Sequence, residues 1–119
     1  YESVAYFSAV NISFSELVHR VTEKIAEPNL ILQFGPEDVK RLIVGSGGST
    51  HLIFSAEPGD TVLVGEFLHY GYHYAKEKGI NVIAAGHYAT ETFGVKALAR
   101  EIEKEFGIPW VFIDSPTGL

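Results

Sequence analysis

From Val39 onward the chain repeats one unit: a short apolar run rich in β-branched residues, a turn containing glycine, then a helical stretch. Few patterns narrow a fold so far. A strand followed by a helix and a second strand has its natural pairing in a parallel sheet, with the helix packed on one face. Residues 39–44, 61–64 and 81–85 predict the strands, and residues 49–56 a short helix after the glycine turn at Gly45 to Gly48. A longer helix is expected over residues 66–78, with Gly79 as its left-handed stop. Residues 90–106 carry a strong helical pattern ending before Gly107, and residues 110–113 supply a last strand. The class is α/β, a mostly parallel or mixed sheet with flanking helices.

The first third reads differently. Residues 4–10 predict a strand, and Ser13-Phe14-Ser15-Glu16 has the form of a capping box. Leu17, Val18, Val21 and Ile25 then recur at helical spacing, an apolar face for a sheet, and Pro28 comes just after the helix end. Residues 30–34 predict a strand closed by Gly35-Pro36. The 119 residues make one domain, large enough to bury a core. No apolar run is long enough to span a bilayer, and there is no secretory signal pattern, so a cytoplasmic location is expected. Without cysteine, disulfides and thiolate metal sites are excluded. A formal charge of −6, with Lys and Arg scattered, argues against binding nucleic acid through its phosphates.

Three loops leave the carboxyl ends of predicted strands, where ligands bind in open α/β sheets. In Gly86-His87-Tyr88-Ala89-Thr90-Glu91 an imidazole and a carboxylate stand four residues apart at the start of a helix. If that helix includes His87, both side chains share a face, where they can hold a divalent metal or position a base; a helix-surface contact is the plainer alternative. The loop Gly45-Ser46-Gly47-Gly48-Ser49-Thr50 could aim amides at an anion, or simply turn the chain tightly. It is neither a P-loop nor a dinucleotide fingerprint, lacking the Lys of the one and the third glycine of the other. Glu66 begins a predicted helix and is expected to share a face with His69 and His73, while Tyr70, Tyr72 and Tyr74 interleave as packing surface. His19 reads as solvated surface, and His51 falls near the cleft.

Taken in order, Gly45-Ser46-Gly47-Gly48-Ser49, then Val64-Gly65-Glu66 with His73 downstream, then Gly86-His87-Tyr88-Ala89-Thr90-Glu91 resemble the carboxyl half of the Nif-three-like proteins. Many of these carry the label GTP cyclohydrolase I type 2 homolog. The resemblance covers roughly residues 13–113 and implies the carboxyl-terminal portion of a longer protein built from two intertwined α/β halves. It implies two divalent ions per intact subunit (Zn, Fe, Mn or Ni) with His87 and Glu91 as ligands, the Glu bridging. The remaining ligands belong to the amino half. Glu66 is then a base or a partner to a ligand, His73 a further partner, and Gly45, Ser46, Gly47 and Gly48 an anion loop for a nucleotide or phosphate. The function implied is metal-dependent hydrolysis in the intact protein, with this portion alone inactive. A non-enzymatic metal-binding scaffold or regulatory, partner-binding protein is the alternative. Homo-oligomers, hexamers in the family, are expected, because a cut fold exposes apolar surface.

Overall fold

The computed structural model describes residues 5–118. A five-stranded mixed sheet runs β1 (Tyr6–Ser13), β3 (Asp38–Val44), β4 (Thr61–Val64), β5 (Asn81–Ala84), β2 (Leu30–Leu32) in spatial order. β3, β4 and β5 are parallel, and β1 and β2 close the two edges antiparallel. The expected α/β class holds, with parallel pairing confined to the three strands that the repeating unit supplies.

β4 and β5 are buried on both faces, which is why each reads as near-continuous apolar sequence. Val62, Val64, Val82 and Ala84 point to one side, joining Ile43, Leu52, Ile53 and Ala75. Leu63, Ile83 and Ala85 point to the other, against Phe14, Leu17 and Val21 of α1 (Phe14–Lys24). One face is therefore covered by α1. The opposite face is covered by α2 (His69–Lys78) with a 3₁₀ turn at Thr50–Ser55. Gly79 and Gly107 end their helices with φ of 66° and 67°.

Several boundaries move, each for a local reason. The first strand runs on to Ser13 because it pairs with β3 across a register shift between Ala9 and Ile12; Val4, where it was expected to start, lies outside the described residues. The strand expected over residues 30–34 is only Leu30–Leu32, the length that pairs with β5. Only half the capping box forms. The Ser13 hydroxyl accepts from the Glu16 amide at 3.1 Å, while the Glu16 carboxylate turns to Arg20 at 2.8 Å. Glu37 takes up the rest of that helix start, accepting from the Ser15 amide and hydroxyl at 3.0 and 2.7 Å. These bonds, the hydroxyl's foremost, with a further one from Gln33, hold the Glu37 carboxyl below its ordinary range.

The second helix starts at His69 rather than Glu66. Buried Thr50 donates its hydroxyl to the Glu66 carbonyl and accepts from the Leu68 amide, both at 3.0 Å, which holds residues 66–68 out of the helix, with Leu68 extended. Glu66 is thus off the helix and shares no face with His69 and His73. The short helix expected over 49–56 is the 3₁₀ turn. The last strand, expected over 110–113, does not form: residues 107–118 have no ladder partner, and Val111 and Ile113 are each 79% exposed. A β-branched run needs a neighbour to pair with, and this one lies against α3 rather than beside an edge strand, with Trp110 bonded to Glu103 and Asp114 to Tyr88. α3 (His87–Phe106) buries no residue and leaves Val95, Leu98, Ile102 and Phe106 in solvent. No helix among the described residues is long and apolar enough to cross a membrane.

Candidate functional site

The loops after β3, β4 and β5 are laced together by backbone bonds that continue the sheet beyond its strands. Gly45 N–H donates to Leu63, Glu66 N–H to Gly47, Ala85 N–H to Val64 and Gly86 N–H to Gly65, each at 2.9 Å. Such close approach needs residues without side chains. A Cβ on Gly65 would lie 2.7 Å from both the nitrogen and the oxygen of Gly47. Gly47 itself sits at φ +57°, where a Cβ would strike the Glu91 carboxylate and come within 3.0 Å of His87 Nε2. Thr90 completes the lacing: its hydroxyl accepts from the Gly47 amide at 3.0 Å and reaches the Gly86 carbonyl at 2.9 Å.

On this frame α3 begins at His87, so the i,i+4 geometry is realised. His87 Nε2 stands 3.3 Å from Glu91 Oε1, and Nδ1 stands 2.9 Å from Glu66 Oε1, which arrives from the end of β4. Both ring nitrogens therefore face carboxylates, one from the same helix and one from the neighbouring loop. The three groups are half-buried to exposed at the edge of an open cavity of about 370 Å³ lined by Glu66, His87, Tyr88, Glu91 and Thr117. Tyr88 donates to Asp114 Oδ1 and accepts from the Ser115 amide, both at 2.8 Å. The amide bond by itself lowers the phenol's pKa, but lost hydration and the Asp114 carboxylate outweigh it and raise the value.

The structure thus brings Glu66, His87, Glu91 and Gly47 together. It leaves His73 apart: its ring meets His69 and Tyr72 on exposed α2, with centroids 6.1 and 5.4 Å away. His51 is exposed on the 3₁₀ turn, and His19 is exposed beside Glu23. In the glycine loop the Gly45 and Gly47 amides are engaged within the chain, while Ser46 and Gly48 are exposed. Among the described residues no three His, Asp or Glu converge as a metal site. Sequence reasoning missed Thr50, Thr90, Tyr88 and Thr117. Thr90 and Tyr88 lie inside the His87 motif and Thr50 ends the glycine-loop motif, though none of the three has a sequence signal of its own, and nothing local marks Thr117.

Residues 3–118 match the family model described as Duf34/NIF3 (NGG1p interacting factor 3). The chain belongs to the Duf34/NIF3 family. A relative from Pyrococcus horikoshii named GTP cyclohydrolase 1 type 2 homolog is 49% identical over 88 residues, 73% of this chain and 35% of the relative. One of the same name from Deinococcus radiodurans is 45% identical over 108 residues, 89% of this chain and 40% of the relative. The crystal structure of TTHA1606 from Thermus thermophilus superposes with a TM-score of 0.81 at 41% identity, covering 96% of this chain and 45% of that one. The chain spans 35–45% of the length of these relatives.

Proposed function

We propose that this chain supplies one side of a divalent-metal site for hydrolysis of a nucleotide or other phosphate-bearing substrate in a longer Duf34/NIF3 protein. The observation that carries the reading is the placement of His87 between two carboxylates. A metal-bound histidine commonly gives its other ring nitrogen to a carboxylate, which fixes the ring and its tautomer. Glu66 stands at Nδ1 in that role, and this favours ring orientation over direct proton transfer as its task. Nε2 then remains for the ion, with Glu91 Oε1 3.3 Å from it. An imidazole and a carboxylate held this close on one helix would be two of the ligands of a divalent ion.

Glu91 would be the ligand shared between two ions, and the remaining ligands would come from outside this chain. Zn, Fe, Mn and Ni all suit this donor set. A divalent ion bound here supplies Lewis acidity and an acidified water. The chain's own part is to hold His87 and Glu91 on the first two turns of α3, with Gly47 leaving room for both. The exposed Ser46 and Gly48 edge is the part of the glycine loop left to meet a phosphate. The relatives' name, GTP cyclohydrolase 1 type 2 homolog, supports a purine nucleotide as the first substrate to try. A second reading, a metal-holding scaffold without turnover, is favoured by the uncovered apolar side chains of α3, which suit a partner or a second copy.

The test is metal content by mass spectrometry on the longer protein and its His87→Ala and Glu66→Gln variants, followed by turnover of GTP and simple phosphoesters. The expected result is about two ions in the parent, loss in His87→Ala, and metal affinity down about 10- to 100-fold in Glu66→Gln. A parent that stays empty when metal is offered refutes the site. Retained metal with no turnover on any nucleotide or phosphoester moves the assignment to the scaffold.

A further inference from the structure

We propose that the segment following α3 forms a wall of the His87 cleft and that Tyr88 is the residue positioning it. The wall stands on this chain's own geometry and does not rest on the function proposed above.

Residues 107–118 turn back at Gly107 and run along α3 toward its start. Burial does not hold them there, since Ile108, Val111 and Ile113 are exposed. Side-chain anchors hold them instead, stepping back along the helix. Trp110 Nε1 donates to Glu103 at 2.9 Å, the Lys96 ammonium lies 4.0 Å from the Phe112 ring centroid, and Tyr88 takes Asp114 and Ser115. The first two anchors are a long charged side chain apiece. The third is rigid, because a phenol on the first turn of α3 both donates and accepts, fixing two consecutive residues of the segment.

Beyond that anchor the segment borders the cleft. Pro116 lines a cavity with Gly86 and Tyr88, and Thr117 lines the one containing Glu66, His87 and Glu91. Gly118 faces an adjoining cavity that Glu66 also borders. The proline fixes its own φ, so the direction set at Ser115 is carried forward to Thr117. The residue next to His87 in sequence thus brings in Thr117, which is thirty positions from His87 in the chain and belongs to no element of the sheet.

The chain has no cysteine, so a single Thr117→Cys substitution carries a nitroxide label to one place. Nuclear relaxation of backbone amides by that label, measured without metal, reads the wall directly. The expected result is strong relaxation of the His87 to Glu91 and Glu66 amides, and weak relaxation at Glu57 and Gly59 by the opposite ends of the strands. Adding Tyr88→Phe should cut the relaxation at residues 87–91 about fivefold and speed exchange of the Ser115 amide about tenfold, while the sheet amides stay unchanged. Asp114→Ala, an exposed change that leaves α3 intact, should act in the same direction. Relaxation at 87–91 no stronger than at Glu57 and Gly59 would overturn the wall. Relaxation unmoved by both Tyr88→Phe and Asp114→Ala would overturn the role of Tyr88. Because no metal enters the measurement, an empty metal site and an absent wall give separate results.

Discussion

Thr90→Val tests how the cleft is held together. The two side chains have nearly the same shape and similar helix propensity, so the substitution removes a hydroxyl and little else. In the structure that hydroxyl is the acceptor for the Gly47 amide at 3.0 Å, in a loop where Gly47 is buried against Gly65. Valine offers the amide no acceptor, and Gly47 is buried. A buried amide without a partner costs about 1–3 kcal/mol. Unfolding entropy near 2.1 cal/mol/K per residue gives a chain of this length roughly 250 cal/mol/K, so a loss of ~2 kcal/mol lowers Tm by about 8 °C. Thermal and urea unfolding followed by circular dichroism would read it. Thr90→Ser keeps the oxygen and should recover most of the loss. Thr90→Val as stable as the parent to within about 0.5 kcal/mol would refute the reasoning, for the lacing of the loops would then not depend on this bond.

Other perturbations separate the site from its frame. Gly47→Ala forces a side chain into the left-handed region, costing about 1–2 kcal/mol. It also pushes the Glu91 carboxylate off His87; in the longer protein, metal affinity measured by calorimetry should fall at least about tenfold, far beyond what the stability change explains. Asn81→Leu keeps the forked side-chain shape but takes the acceptor from the Gly35 amide and the donor from the Pro36 carbonyl, both bonded by a fully buried side chain. A loss of about 2–3 kcal/mol in urea unfolding is expected. Glu37→Gln tests the start of α1. Because the folded carboxyl titrates below its ordinary value of 4.5, its stabilising share is complete above that pH and vanishes as pH falls through the lowered value. The stability gap between parent and variant should therefore close on acidification, and a gap constant down to about pH 3 would contradict the assignment.

The strands and their order of helices were legible because burial on both faces writes itself as unbroken apolar runs: Thr61–Val64 and Asn81–Ala84 are buried at every position. The face of α1 was equally plain, since Leu17 and Val21 recur at the helical period and meet the sheet as that period requires. His87 and Glu91 could be paired from sequence for the same reason, both lying on one helix at a fixed spacing. What the sequence could not supply was every relation between segments far apart in the chain. Glu66 looked like a helical residue sharing a face with His69 and His73. Thr50, sixteen positions earlier, holds it outside the helix, and its carboxylate meets His87 instead.

The glycines carry the same lesson. Gly45 to Gly48 signalled a turn, but that Gly47 must lack a side chain because Gly65, Glu91 and His87 crowd it is visible only once three loops meet. The run from Trp110 to Ile113 has strand composition and forms no strand, because the segment is tied along α3 and meets no strand edge, and pairing needs a neighbour whatever the local preference. Periodicity and burial pattern are local in sequence, and they determined the elements, their order and the His87–Glu91 pair. Contacts between distant residues are not local, and only the tertiary structure decided that Glu66 orients toward His87, that Thr90 ties the glycine loop, and that residues 114–118 return to the cleft.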